Sequence, residues 1–441
     1  MRSVRSIHNF LDIAREVSHG KVELRDANFE GHEPETMVKE EMPTGAIDYV
    51  TRVLPSIAEV SPKAWDALVL RQDDASPFMQ HAYLHALDAS ASACAATGWS
   101  PRIITLERVG ELAAACALYI KDHSYGEYVF DWAWANAYQQ HGLPYYPKAV
   151  VAVPFTPVPG VRLLAVGAEA RAALVQAVVA WCEDQKLSSL HLLFTSESDA
   201  QACADAGLML RHTVQFHWTN SAPGYADFDA FLATLAQDKR KKIRQERRKV
   251  AEAGVVFRWS RGADISTADW DFFYRCYERT YLEHGNAPYL SRNFFVRMQA
   301  QMAANWLLFI AEQDGRAIAS SLIALSSEAA TNNGGVQPPV AYGRYWGALE
   351  RVDCLHFEAC YYQPLAWCIA HGYQRFEGGA QGEHKMARAL LPVKTTSAHW
   401  LAHPAFADAV ARFLEREGAG IENYIEDLQQ RSPFRAEAPA P

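Results

Sequence analysis

The sequence predicts an α/β protein whose two halves share one order of elements, and three observations carry that prediction. Val340 to Lys385 reads as strand, helix, strand, with ionisable residues crowded just past both strands. A hairpin followed by alternating helices and strands occurs once in each half of the chain, the pattern of a layered α/β unit used twice. At 441 residues the chain also exceeds what a single core usually supports, so two domains are the natural division.

Composition fits this class. With 49% hydrophobic and 12% aromatic residues the chain can bury substantial cores. No apolar run reaches the roughly 18 to 20 residues of a membrane helix, since even Ala149 to Gly167 is broken by Pro154, Pro157 and Pro159. The N-terminus is basic but lacks an apolar h-region, so a cytoplasmic protein without a membrane span is expected. The eight cysteines show no C-x-x-C pair and no zinc spacing, which reads as reduced, mostly buried thiols and no metal site. His356 and Cys360 lie four apart on a predicted helix, a spacing open to a nucleophile pair or, more plainly, to a small residue filling a helical face.

The net charge is −9, yet Asp238 to Lys249 holds eight basic residues against two acidic, a local balance of +6 that leaves −15 on the rest. A patch so concentrated on an acidic protein points to one polyanionic ligand, and no DNA partner is expected.

Taken in order, residues 1–55 read as a flexible, acidic, Pro-containing leader with a short helix over Ile7 to Val17. Helices are predicted over Pro62 to Arg71 and Phe78 to Ala89, then strands over Arg102 to Arg108 and Leu112 to Ile120 about a turn at Gly110. Residues 123–148 carry eight aromatics, which serve either core packing or a stacking surface for substrate. Helix, strand, helix and strand follow over Ala168 to Gln185, Ser189 to Phe194, Ser198 to Ala206 and Arg211 to Thr219, closing a first domain over residues 56–220.

The second domain, 225–435, opens with one long basic helix from Phe228 to Ala253, stopped by Gly254. A strand over Val255 to Trp259, helices over Ser266 to Glu283 and Ser291 to Ala303, and a hairpin over Leu307 to Ala311 and Ala317 to Leu325 come next. Asn332 to Gly335 tolerate positive φ and predict a mobile loop before the Val340 strand. In that strand a period of 2 puts Tyr342, Arg344 and Trp346 on one face. Pro364 predicts a kink in the Leu355 to Ala370 helix, and a right-handed crossover makes the flanking strands parallel neighbours. Helices over Pro404 to Glu417 and Ile421 to Gln430 and a disordered Ala-Pro tail end the chain.

The basic helix, the hairpin, YGRYWGALE, the aromatic helix and FEGGAQGEHK, in that order, resemble the GNAT acyltransferase superfamily. They are more similar to its Fem-type (FemAB-like) branch of tandem-GNAT aminoacyltransferases, which extend peptidoglycan cross-bridges. HSYGEYVFDWAWA, YYPK, VPFTPV, QFHW, YGRYWG, LHFEACYY and GAQGEHK resemble strings of a bacterial family labelled GNAT-like or peptidoglycan biosynthesis/recognition, over about residues 60 to 435. The resemblance implies two tandem GNAT-like domains with mixed sheets flanked by helices. It also implies N-acyl or aminoacyl transfer from acyl-CoA or aminoacyl-tRNA, as co-substrate and with no permanently bound cofactor, to a small-molecule or cell-wall precursor amine. One departure stands out: the donor-phosphate turn of GNAT proteins is replaced by GALERVDC, where Glu350 and Asp353 would repel a pyrophosphate.

Ligands of such sheets bind beyond the carboxyl ends of the strands. For acyl transfer, Glu377 and His384 are the expected proton-handling residues. Backbone N–H groups of Gly378 and Gly379 would face the oxyanion. Arg344, Lys385 and Arg388 would hold phosphate or carboxylate, and Trp346, Gln381 and Glu383 complete the rim. Arg240, Arg244, Arg247 and Arg248, read along one side of the basic helix, are the expected donor-phosphate contacts, possession of tRNA affinity included. A non-catalytic module that binds peptidoglycan fragments or carbohydrate, and an RNA-binding protein acting through the basic helix, are the competing readings.

Overall fold

The computed structural model describes residues 49–73, 75–326, 337–379 and 382–435. Most of the leader, the Asn332 to Gly335 loop, Gln381 and the Ala-Pro tail therefore lie outside the described residues. The α/β class expected from the sequence is the class observed: one large mixed sheet with helices on its faces.

Thirteen strands form that sheet: β1 (Val50–Leu54), β2 (Ser100–Arg108), β3 (Glu111–Lys121), β4 (Lys148–Val151), β5 (Leu164–Ala165), β6 (Ser189–Thr195), β7 (Met209–Thr219), β8 (Val255–Arg261), β9 (Trp306–Gln313), β10 (Arg316–Leu325), β11 (Val340–Ala348), β12 (Arg375–Glu377) and β13 (Leu391–Leu401). Their order is β1-β2-β3-β4-β6-β13-β7-β12-β11-β10-β9-β8, with β5 paired to β3. Read from either edge the sequence of events is the same. Three antiparallel pairings lead to a strand whose next neighbour is parallel: β4 with β6 on one side, β11 with β12 on the other. The halves then exchange their last strands, because β7 pairs with β12 and β13 pairs with β6. The β7–β13 pair itself, Leu391 opposite His217 through His399 opposite Met209, is the seam that makes the sheet continuous.

Several elements differ from their sequence-based expectation, each for a physical reason. Val50–Leu54, assigned to the leader, is an edge strand on β2. The long basic helix is two, Phe228–Thr234 and Gln237–Glu252, because Leu235 leaves helical geometry to bury itself in the core. The two C-terminal helices are one, Pro404–Gln430, since Gly418 and Gly420 lower helix propensity without forcing a break. β4 and β13 were not anticipated: Lys148–Val151 is short, and in β13 exposed Lys394 and Leu391 blur the alternation.

Packing follows from the pleat. Leu322, Ala324, Val340 and Tyr342 face one core with the Thr267–Glu283 helix, while Ile323, Leu325, Ala341 and Phe376 face another. Gly347 permits the close approach of that helix to β11, for a Cβ there would lie 2.0 Å from the Cys276 carbonyl oxygen. The aromatic segment at 123–148 mostly serves packing. Trp134, Tyr138 and Tyr145 are buried with Phe406 and Phe413, although Tyr125 and Phe130 remain exposed.

Candidate functional site

The crossover at 340–377 is parallel, as the sequence indicated, but the pairing spans only Val340–Tyr342 against Arg375–Glu377. Beyond it β12 ends while β11 runs on to Ala348, so the two strands fork. Gly343 sits in the crotch, where a Cβ would be 3.1 Å from the Phe376 ring and 3.4 Å from the Glu377 carbonyl oxygen.

At the fork, register alone lines up three side chains across three strands. Tyr342 of β11 is opposite Glu377 of β12, and Glu377 is opposite His217 of β7. All three are buried and line a cavity of about 700 Å³. It lies over the first residues of β11 and β12, with Val340, Gln374 and Arg375 in its lining, and not beyond the carboxyl ends of these strands where the sequence put the site. Its walls come from both halves, with Pro159, Gly160 and Thr195–Glu197 on one side and Gln337, Pro338 and Arg375 on the other. Glu377 Oε1 is 3.0 Å from Arg375 Nε, and Glu377 Oε2 is 3.9 Å from His217 Nε2. Burial, with the charges of Arg375 and Lys385, pushes His217 down to about 3, so its imidazole is neutral at physiological pH.

Lys385 lies against Gly378 just past the end of β12, outside the lining of that cavity. It is buried, donates to the Gly379 carbonyl oxygen at 2.9 Å, and is pushed down to about 8 by desolvation. No carboxylate among the described residues lies within ion-pair reach of it. Gly378 is required here for space, because a Cβ would meet the Leu390 side chain at 2.5 Å and Lys385 at 3.5 Å.

Several expected site residues are placed otherwise. Gly378 donates its N–H to the Phe216 carbonyl oxygen at 3.4 Å, so it extends the β7 ladder instead of facing an oxyanion. Gly379 takes φ +84°, a turn conformation that suits glycine. His384 is exposed and stands 3.3 Å from the Tyr361 hydroxyl, away from the lining of the cavity that holds Glu377. Glu383 accepts from the Tyr424 hydroxyl at 2.8 Å and is tied to the C-terminal helix. Arg388 is buried against Glu246 at 2.9 Å, with its guanidinium 3.6 Å from the Phe357 ring centre, so it is a structural ion pair and not a ligand contact. Arg247 likewise turns inward to Glu358 at 3.2 Å, whereas Arg240, Arg244 and Arg248 border an open surface hollow with Gln237, Lys241 and Gln245.

Arg344 and Trp346 do not share a face. Leu322 pairs with Tyr345 and Ile323 with Gly343, which makes Arg344 the extra residue of a β-bulge. The alternation shifts there: Arg344 stacks over Phe78 and Tyr345 on the Tyr342 side, while Trp346 packs toward His356 on the opposite side. The bend expected at Pro364 appears as a π-helical turn, Glu358–Tyr362, which points Glu358 and Tyr362 at the basic helix. Desolvation pushes the Cys360 thiol well up, the opposite of the shift that activates a nucleophile.

His217 and Arg375 were missed by sequence reasoning. The QFHW string contained His217, but only the strand exchange brings it to Glu377. The corresponding register position between β6 and β13 holds His191 and His399, whose Nδ1 atoms are 2.8 Å apart beneath Trp134. Beside them Lys148 is buried between Glu127 at 2.8 Å and Asp131, so in the first half this row is packed core.

Residues 56–436 match the FemAB-like family, described as peptidoglycan biosynthesis/recognition. No curated protein matches the chain. Solved structures to which the chain is similar include FemX, with TM-score 0.49 and 10% identity over 82% of this chain and 100% of that one. Another is the C-terminal domain of a putative lysylphosphatidylglycerol synthetase from Agrobacterium fabrum, with TM-score 0.48 and 12% identity over 82% of this chain and 97% of that one. A tandem GNAT protein from the clavulanic acid biosynthesis pathway matches with TM-score 0.40 and 11% identity over 80% and 99%. Among the described residues no helix is long and apolar enough to cross a membrane.

Proposed function

This chain belongs to the FemAB-like family, and from that premise we propose that it transfers an acyl or aminoacyl group from a phosphate-bearing donor to an amine, with a peptidoglycan precursor as the acceptor. The observation that carries the reading is the Tyr342, Glu377, His217 row in the lining of a cavity walled by both halves.

An amine attacking an ester or thioester must lose a proton while the carbonyl oxygen gathers negative charge. Glu377, oriented by Arg375 and removed from bulk water, is the acceptor for that proton. Neutral His217 orients the incoming amine or Glu377 without competing for the proton. Lys385, set against Gly378 just past the end of β12, is the cation suited to the oxyanion or to a donor phosphate, and its proton affinity near 8 lets it exchange a proton at working pH.

The donor's phosphates fit the outward guanidinium groups of Arg240, Arg244 and Arg248. That surface is open and helical, not an enclosed cradle, which favours aminoacyl-tRNA over acyl-CoA as the donor. In the turn after β11, Glu350 pairs with Arg316 at 3.2 Å and adds no phosphate donor. The second reading, a non-catalytic module that binds peptidoglycan fragments or carbohydrate, draws on the exposed Tyr125 and Phe130.

Incubating the protein with labelled aminoacyl-tRNA or acyl-CoA and a set of peptidoglycan-precursor amines distinguishes the two. Product formed with either donor supports transfer; muropeptide binding without product from any donor supports the second reading.

A further inference from the structure

We propose that Arg344 is the anchor of a separate site for a monocarboxylate that carries an aromatic or other flat apolar body. The site is a hollow of about 420 Å³ beyond the bulge in β11, lined by Tyr277, Thr280, Tyr281, Asn286, Arg344 and Tyr345 among others. It shares no lining residue with the cavity over Glu377, and the Phe78 ring lies 5.3 Å from Tyr342 and 5.2 Å from the Arg344 guanidinium. It stands independently of the transfer reading.

Arg344 carries a charge that no protein group among the described residues balances. Its Nη2 donates to the Phe155 carbonyl oxygen at 3.0 Å and contacts the hydroxyls of Thr156 and Tyr345 at 3.4 Å, all neutral groups. Nε is occluded and has no partner, and no carboxylate among the described residues pairs with this guanidinium. A clamp between the halves needs no charge, and a half-buried cation without a counter-ion carries a desolvation cost that a bound anion would offset. The bulge, moreover, brings Tyr345 onto the side that Tyr342 and Arg344 already share, so that its ring flanks the guanidinium at the hollow.

Arg344 is the one permanent cation in the lining, so a single negative charge balances the site and a phosphate dianion would overbalance it. Of the guanidinium nitrogens Nη1 alone is neither occluded nor bonded to a described residue, and it is the one that would donate to a carboxylate oxygen. Tyr277 packs 4.8 Å from Tyr281 and 5.3 Å from Tyr345, and these rings form flat apolar walls for the ligand's body.

The test titrates the full chain with N-benzoylglycine and, as control, its uncharged amide. The expected result is binding of the acid about tenfold or more tighter than the amide, as one charge-assisted contact provides. Arg344→Met is expected to abolish that difference. Should that variant fail to fold, Asn286→Asp, at an exposed rim position, is expected to weaken the acid several-fold in low salt and leave the amide unchanged. Equal affinity for acid and amide, absence of acid binding to the unaltered protein, or an acid affinity indifferent to Asn286→Asp would overturn the proposal.

Discussion

The Arg388 guanidinium and the Glu246 carboxylate meet at 2.9 Å inside the protein, 142 positions apart in the chain, and the Tyr362 hydroxyl donates to the same carboxylate. This cluster fastens the basic helix to the crossover and to the turn that follows β12. Removing one partner leaves the other charged and buried, so Glu246→Ala is expected to destabilise the fold by roughly 3–5 kcal/mol. The double variant with Arg388→Met is expected to lose less than the two single losses combined. Denaturant unfolding checks both, and a Glu246→Ala protein of undiminished stability would contradict the assignment.

The arginines of the basic helix divide by direction. Arg240→Glu, Arg244→Glu and Arg248→Glu together are expected to weaken binding of a tRNA-borne or coenzyme-borne donor and flatten its salt dependence, with little change in stability. Arg247→Glu is expected to act through folding, because it would set a carboxylate against buried Glu358. Donor affinity at low salt and thermal unfolding separate these effects. Equal donor binding by the triple variant would remove this surface from the account.

Much of the fold was legible because periodicity reports burial one element at a time. The hairpin β2–β3, the helix Ala168–Asp184 and the β11–helix–β12 crossover all appear close to their predicted bounds. The same periodicity put Glu377 just past a short strand and ahead of two glycines, whereas it is the last residue of β12. What stayed hidden depends on pairing between distant segments. Nothing local indicates that β7 leaves its own half to place His217 against Glu377, nor that Arg388 has Glu246 as a partner. The bulge at Arg344 was hidden too, because strict alternation is the assumption that a bulge breaks.

Lys385 ties stability to pH. Its ordinary value of 10.5 falls to about 8 in the folded protein, so between these values the unfolded chain binds more protons and stability rises with pH. Below about 8 the full cost of burying the ammonium is present. Lys385→Met is therefore expected to stabilise the protein at pH 7 by on the order of 2 kcal/mol. It is also expected to flatten the pH dependence between 8 and 10 while lowering transfer activity. Chemical denaturation across that range is the check, and an unchanged slope would contradict the buried, charged state.

Gly347→Ala probes the contact that sets the depth of the Thr267–Glu283 helix on β11. Its Cβ would lie 2.0 Å from backbone at Cys276, which cannot rotate aside as a side chain would. Overpacking of this kind costs about 1–3 kcal/mol. Thermal unfolding reads the loss, and a variant as stable as the unaltered protein would show that the helix has room to move.

The central claim is that Glu377 takes the proton from the attacking amine. Glu377→Gln keeps the shape of the side chain and removes the base, so single-turnover transfer with saturating donor and amine tests it most directly. The rate is expected to fall roughly 10²- to 10⁴-fold while donor and acceptor affinities stay within a few-fold. Transfer by Glu377→Gln at the rate of the unaltered protein would contradict it.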